Sequence, residues 1–139
     1  AKKLKAALDA DLIPVLCVGE TKKEKDAGEK EAVIEKQLKT ALFNLKLKTK
    51  NLKLLVAYEP VWAIGTGVPE TPESALETIK FIKNLLANSY YLVDTKVLYG
   101  GSVNSQNLGD YLKYKEIDGA LVGGASLQKD EVKAMIELI

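Results

Sequence analysis

Leu52-Lys53-Leu54-Leu55-Val56-Ala57-Tyr58-Glu59-Pro60-Val61-Trp62-Ala63-Ile64-Gly65-Thr66-Gly67 is the stretch on which the reading of the fold turns. Its first seven residues have strand length and are nearly continuous in apolar character, as strands buried in a parallel sheet are. Glu59 closes the run, and Pro60 holds Glu59 away from the helical region, so the carboxylate emerges at the carboxyl end of a strand. Gly65 and Gly67 then give the following loop backbone angles and a closeness of approach that other residues do not allow.

Three more runs of the same kind flank it: Leu12-Ile13-Pro14-Val15-Leu16-Cys17-Val18, Thr95-Lys96-Val97-Leu98-Tyr99 and Ile117-Asp118-Gly119-Ala120-Leu121-Val122. Pro14 lies near the start of its run, where a missing N–H is tolerated. Helical stretches separate the runs. Thr21-Lys22-Lys23-Glu24 fits a capping box, and Gly28 is expected to interrupt the segment that follows. The pattern resumes from Glu31 to Leu42, with Ile34, Leu38 and Leu42 on one face. Thr71-Pro72 places an N-cap and a first-turn proline before Ala75, Ile79, Ile82 and Leu86. Asn104 is a cap for a helix through Leu112, and a final amphipathic helix is expected to run to Ile139. The first eight residues read as an amphipathic helix already in progress, so the chain is expected to begin within a longer protein. Half a helix followed by four strand-helix units predicts an α/β fold with a parallel sheet covered by helices. An open doubly wound sheet and half of a closed barrel both satisfy this order, since four strands cannot close a barrel that needs eight.

Composition narrows the partners. The 139 residues are 47% hydrophobic and 28% charged, and no apolar run reaches membrane-span length, so no membrane partner is expected. Twenty lysines stand against nineteen acidic residues and are dispersed among them, which argues against nucleic acid as a partner. There is no arginine, so a phosphate site would have to use backbone N–H groups, helix N-termini or ammonium groups. Cys17 is the single cysteine and histidine is absent; this excludes an internal disulfide and a zinc-ligand set, and a cytoplasmic setting is the natural expectation.

Glu59 alone reads more readily as a solvated strand-end carboxylate, and the glycines after it as turn residues. Two more glycine-rich strand ends change the weighing: Tyr99-Gly100-Gly101-Ser102 and Val122-Gly123-Gly124-Ala125-Ser126. Their N–H groups could converge on one anion, as do the loops after the last two strands of phosphate-binding barrels.

Taken with Val15-Leu16-Cys17-Val18-Gly19-Glu20-Thr21, these motifs resemble the triosephosphate isomerase family over essentially the whole chain. The resemblance implies the C-terminal half of a (β/α)8 barrel, strands five to eight, with the N-terminal half absent. It also implies interconversion of dihydroxyacetone phosphate and glyceraldehyde 3-phosphate, in glycolysis and gluconeogenesis, without cofactor or metal. By the same resemblance Glu59 is the base. Pro60, Val61 and Trp62 form the leading hinge of a lid that runs on through Ala63, Ile64, Gly65, Thr66 and Gly67. Gly65 is a phosphate donor that arrives on closure, Ser102, Gly123 and Gly124 grip the phosphate from the fixed side, and Ile64 and Leu121 cover Glu59. Cys17 is given no chemical role and is expected to be a small buried hydrophobe. The family's catalytic lysine and histidine, and an asparagine, belong to the absent half. This fragment is therefore expected to be inactive, and the resemblance implies a homodimer for the full-length protein.

The sequence departs from the family after Gly67, where Val68-Pro69-Glu70 replaces a stretch close to Lys-Thr-Ala. Pro69 fixes a dihedral in the trailing hinge, so slower or less complete closure is expected, with Glu70 an added charge. Two other functions fit parts of the pattern: a different phosphate-binding barrel enzyme, and a non-catalytic half-barrel that associates through its open strand edges.

Overall fold

The computed structural model describes residues 1–43 and 53–139. Along them run α1 (Lys2–Asp9), β1 (Val15–Val18), α2 (Lys22–Asp26), α3 (Lys30–Leu42), β2 (Leu55–Tyr58), α4 (Pro72–Tyr90), β3 (Lys96–Tyr99), α5 (Leu108–Leu112) and α6 (Lys129–Ile136), with short 3-10 turns at Val61–Ala63 and Gly124–Leu127. Leu52, placed at the head of the second strand by the sequence, lies outside the described residues.

The strands form one parallel sheet in the order β1-β2-β3. Val18 pairs with Tyr58 and Tyr58 with Tyr99, so the three strands end level. The ladder continues one step further: the Glu59 N–H donates to the Val18 carbonyl at 2.7 Å, and the Gly100 N–H to the Tyr58 carbonyl at 2.8 Å. Residues following the strands are thereby brought side by side at one rim.

The expected fourth strand is a correction. Residues 117–122 make only one parallel bridge, between Tyr99 and Ala120. The reason is a side chain in the ladder: the Val97 N–H donates to the Asp118 carboxylate at 2.8 Å instead of to a main-chain carbonyl. The segment still runs beside β3, held by the Leu121 N–H on the Tyr99 carbonyl at 2.8 Å.

Helix starts follow their caps. Thr21 and Glu24 form the reciprocal capping box, and Thr71 accepts from the Ser74 N–H with Pro72 in the first turn. Gly28, at φ +73°, separates α2 from α3. Asn104 does not cap a helix directly. Its carboxamide accepts from the N–H groups of Gln106 and Asn107, making a turn that delays α5 until Leu108. The last helix stops at Ile136, short of the expected Ile139.

Ile34, Leu38 and Leu42 of α3 and Ala75, Ile79, Ile82 and Leu86 of α4 meet Val56 and Val97 of the sheet in one buried cluster. Truncating such a residue to alanine typically costs about 2–5 kcal/mol. Only one face of β1 shares in this core. Val18 is buried and Leu16 half-buried, whereas Val15 and Cys17, on the other face by strand alternation, are exposed. Cys17 is therefore not the buried hydrophobe expected of it, and β1 is not covered on both sides. Leu12 and Ile13, just before it, are exposed as well.

Candidate active site

Glu59 stands at the rim where β1, β2 and β3 end, half-buried between two glycines that admit it. A Cβ at Gly19 would lie 1.9 Å from the Glu59 carbonyl oxygen, and one at Gly100 would lie 2.6 Å from Glu59 Cγ. Gly19 is fixed in turn by Gln37 of α3, whose carboxamide exchanges two hydrogen bonds of 2.9 Å with the Gly19 main chain. Cys17 faces the same carboxylate. Although the side chain is open to solvent, partial desolvation and then the negative charge and hydrogen bond of Glu59 push its thiol up to about 11.

A cleft of about 660 Å³ opens at this rim and brings together Glu59, Ile64, Gly65, Ser102, Leu121, Gly123 and Gly124. All seven residues singled out as base, phosphate contacts or cover thus share one cavity. Gly123 and Gly124 begin the 3-10 turn at Gly124–Leu127, where the first N–H groups have no partner within the turn. Gly100 is different from the expectation for an anion donor, because its N–H is already spent on the Tyr58 carbonyl.

The segment over the cleft is latched. Its leading end turns through Val61–Ala63, with the Val61 N–H on the Glu20 carbonyl at 2.9 Å and the Ala63 N–H on that of Pro60 at 2.8 Å. Gly65 and Gly67 take left-handed conformations, φ +67° and +75°. The Gly67 N–H donates to Ser102 Oγ at 3.2 Å, and Thr66 Oγ1 accepts from the Val68 N–H at 3.2 Å. At the trailing end, the Glu70 N–H donates to the Tyr99 hydroxyl at 3.0 Å. Tyr99 stacks on Tyr111 with ring centroids 4.2 Å apart.

Glu70, expected from the sequence as an added charge in the trailing hinge, has its side chain buried. Together with Glu20, Tyr58 and Tyr111 it belongs to a set of contacts that the motifs did not single out. One signal was available for Glu20, which lies two residues past the end of β1 and so had to lie near the same rim as Glu59. Nothing local in sequence marks Tyr58, Tyr99 and Tyr111 as neighbours of Glu70.

A parallel α/β fold with a glycine-lined cleft at the carboxyl ends of its strands fits the class of (β/α) barrel folds, whose active sites lie at that rim. The family model for triosephosphate isomerase matches residues 1–139. The chain is similar to the triosephosphate isomerases of Endomicrobium trichonymphae, 48% identical over 98% of this chain and 55% of the relative. Those of Aquifex aeolicus, 47% identical over 97% and 55%, and Clostridium tetani, 46% identical over 97% and 54%, match comparably. The chain belongs to the triosephosphate isomerase family and spans about half the length of the curated relatives it matches.

Proposed function

We infer that this chain is the base-bearing C-terminal half of a triosephosphate isomerase, converting dihydroxyacetone phosphate to glyceraldehyde 3-phosphate and back. The observation that carries the reading is the placement of Glu59 in one cleft with Gly65, Ser102, Gly123 and Gly124. In this scheme the N–H groups of Gly123 and Gly124, with Gly65 from the lid, hold the phosphate. Ser102 latches the lid through Gly67 and keeps its own proton for the same phosphate. Glu59 then takes a proton from the carbon beside the carbonyl and returns it to the neighbouring carbon. Such a transfer needs no cofactor, and it is favoured by the exclusion of water under the lid, with Ile64 and Leu121 as apolar cover.

The lysine and the histidine that polarise the substrate in this family are assigned to the other half of the protein, so the fragment alone is inactive. The full-length protein is proposed to be a cytoplasmic homodimer acting on triose phosphate. Among the described residues no helix is long and apolar enough to cross a membrane.

The test is the isomerisation rate of this chain alone and then mixed with the matching N-terminal half. Activity is expected only in the mixture, and Glu59→Gln is expected to lower it by about 10²- to 10⁴-fold. A well-folded mixture that accepts larger sugar phosphates and ignores triose phosphates would instead favour another phosphate-binding barrel enzyme. The exposed apolar side chains Leu12, Ile13 and Val15 beside β1 favour a second reading, an assembly half-barrel. That reading gains if the chain alone is a stable, soluble dimer.

A further inference from the structure

Two carboxylates lie buried beneath the ends of the lid, Glu20 at 0% exposure and Glu70 at 3%. Burying a charge is costly unless it is paired and hydrogen-bonded, and here the partners are shared. The Tyr58 hydroxyl is 3.1 Å from Glu70 Oε2 and 3.3 Å from each oxygen of Glu20. One hydroxyl has one proton to donate, so Tyr58 can satisfy only one carboxylate at a time. The division is settled by Trp62, whose Nε1 donates to Glu20 Oε1 at 2.8 Å and leaves Tyr58 to Glu70.

A second bridge runs parallel to the first. Lys25 Nζ lies 3.4 Å from Glu70 Oε1 and 3.4 Å from the centroid of the Trp62 ring. Lys30 Nζ adds a weaker contact, 4.0 Å from Glu70 Oε2. The Glu70 main chain is held too, its N–H by the Tyr99 hydroxyl and its carbonyl by the Tyr111 hydroxyl. Trp62 belongs to the leading end of the lid and Glu70 to the trailing end.

The geometry points to Glu70 as a positioning residue that couples the two ends of the lid, through Tyr58 and Glu20 on one side and Lys25 on the other, so that both ends seat together. When Trp62 leaves, Glu20 loses its donor and competes for the Tyr58 proton, which loosens Glu70. When Glu70 is absent, Tyr58 turns to Glu20 and weakens the need for Trp62. The inference rests on the lid reading of residues 60–70 given above.

The test uses the full-length isomerase with fluorinated tryptophan, the Trp62 resonance being assigned by its loss in Trp62→Phe. Glu70→Ala is expected to shift or broaden that resonance through Lys25, Tyr58 and Glu20, which link the two side chains, and to lower kcat on the order of tenfold with KM changed far less. Glu70→Gln keeps an acceptor for Tyr58 and is expected to stay within about threefold of the unsubstituted enzyme. An unmoved Trp62 resonance and unchanged kcat in Glu70→Ala would overturn the coupling. So would equal damage from Gln and Ala, which would mean that the side chain only fills space. If Glu70→Ala does not fold, Tyr58→Phe must move the Trp62 resonance in the same sense, and its failure to do so is equally decisive. Glu59→Gln in the same series separates the two readings: it should lower turnover by about 10²- to 10⁴-fold and leave Trp62 undisturbed. Turnover undiminished by Glu59→Gln would sink the isomerase base while the Trp62 resonance still decides the coupling.

Discussion

Cys17 is open to solvent and yet should react slowly. Partial desolvation and the neighbouring Glu59 carboxylate hold its thiol at about 11, so at pH 8 it is almost wholly the unreactive thiol. Alkylation of the fragment is expected to be roughly 100-fold slower than for an unstructured cysteine peptide at that pH, and to accelerate up to about pH 11. Glu59→Gln removes the charge and should speed the reaction at pH 8; an unchanged rate would mean that Glu59 does not face the sulfur. The sign for stability follows. A folded pKa raised above the unfolded value favours folding below the unfolded value of about 9, and that contribution is lost as pH rises through about 11. Gly100 supplies a sharper test of the site. A methyl group there would meet Glu59 Cγ at 2.6 Å, so Gly100→Ala should displace the carboxylate by a large fraction of an ångström. In the reconstituted enzyme the expected loss is about 10²-fold in kcat with the fold retained, measured by steady-state rate and circular dichroism. These close approaches were not legible in the sequence, because a glycine is required by what lies opposite it, and Glu59 is far along the chain from both Gly19 and Gly100.

The lid and the fourth strand show how elements answer to their surroundings. On the lid reading, Pro69 bears on the stiffness of the trailing hinge and Glu70 beside it on how the two ends seat, so the two neighbours are expected to act on different quantities. Pro69→Thr should raise the opening and closing rate, read by relaxation dispersion on Trp62, without the change in Trp62 environment expected of Glu70→Ala. Equal dispersion in both proteins would remove Pro69 from the account. In the segment beside β3, Asp118 is partly buried, which disfavours its charge, but Lys83 at 2.6 Å, the Val97 N–H and Lys96 at 3.0 Å outweigh that and hold its carboxyl below the usual range. Its contribution to stability is therefore present above the unfolded value and lost as pH falls through the lower folded one. Asp118→Asn should cost about 1–3 kcal/mol near neutrality and flatten the acid limb of a pH-melting curve. Caps and breakers were legible: Thr21 with Glu24, Gly28, and Thr71 with Pro72 all act on residues within four positions of themselves. The truncated fourth strand was not, since Asp118 takes the Val97 N–H from 21 positions away.

For the molecule entire, one sheet face carries the core and the β1 side of the other is open. Val15 is exposed there, Leu12 and Ile13 are exposed just before it in the chain, and Ile136, Leu138 and Ile139 are exposed near the other end of the chain. An environment-sensitive dye should bind the isolated chain strongly and be released when the N-terminal half is added, in step with the appearance of activity. Release without activity would keep the assembly and lose the chemistry. Hydrophobic period, caps and glycine-rich strand ends follow from neighbours in the chain, so the parallel α/β order and most helix boundaries could be read from the 139 residues alone, and the family resemblance added seven of the residues that line the cleft. The exposure of Cys17, the loss of the Gly100 N–H to the ladder and the burial of Glu70 between Tyr58 and Lys25 were decided only by tertiary structure, because each depends on which distant group stands opposite, and local sequence carries no record of that.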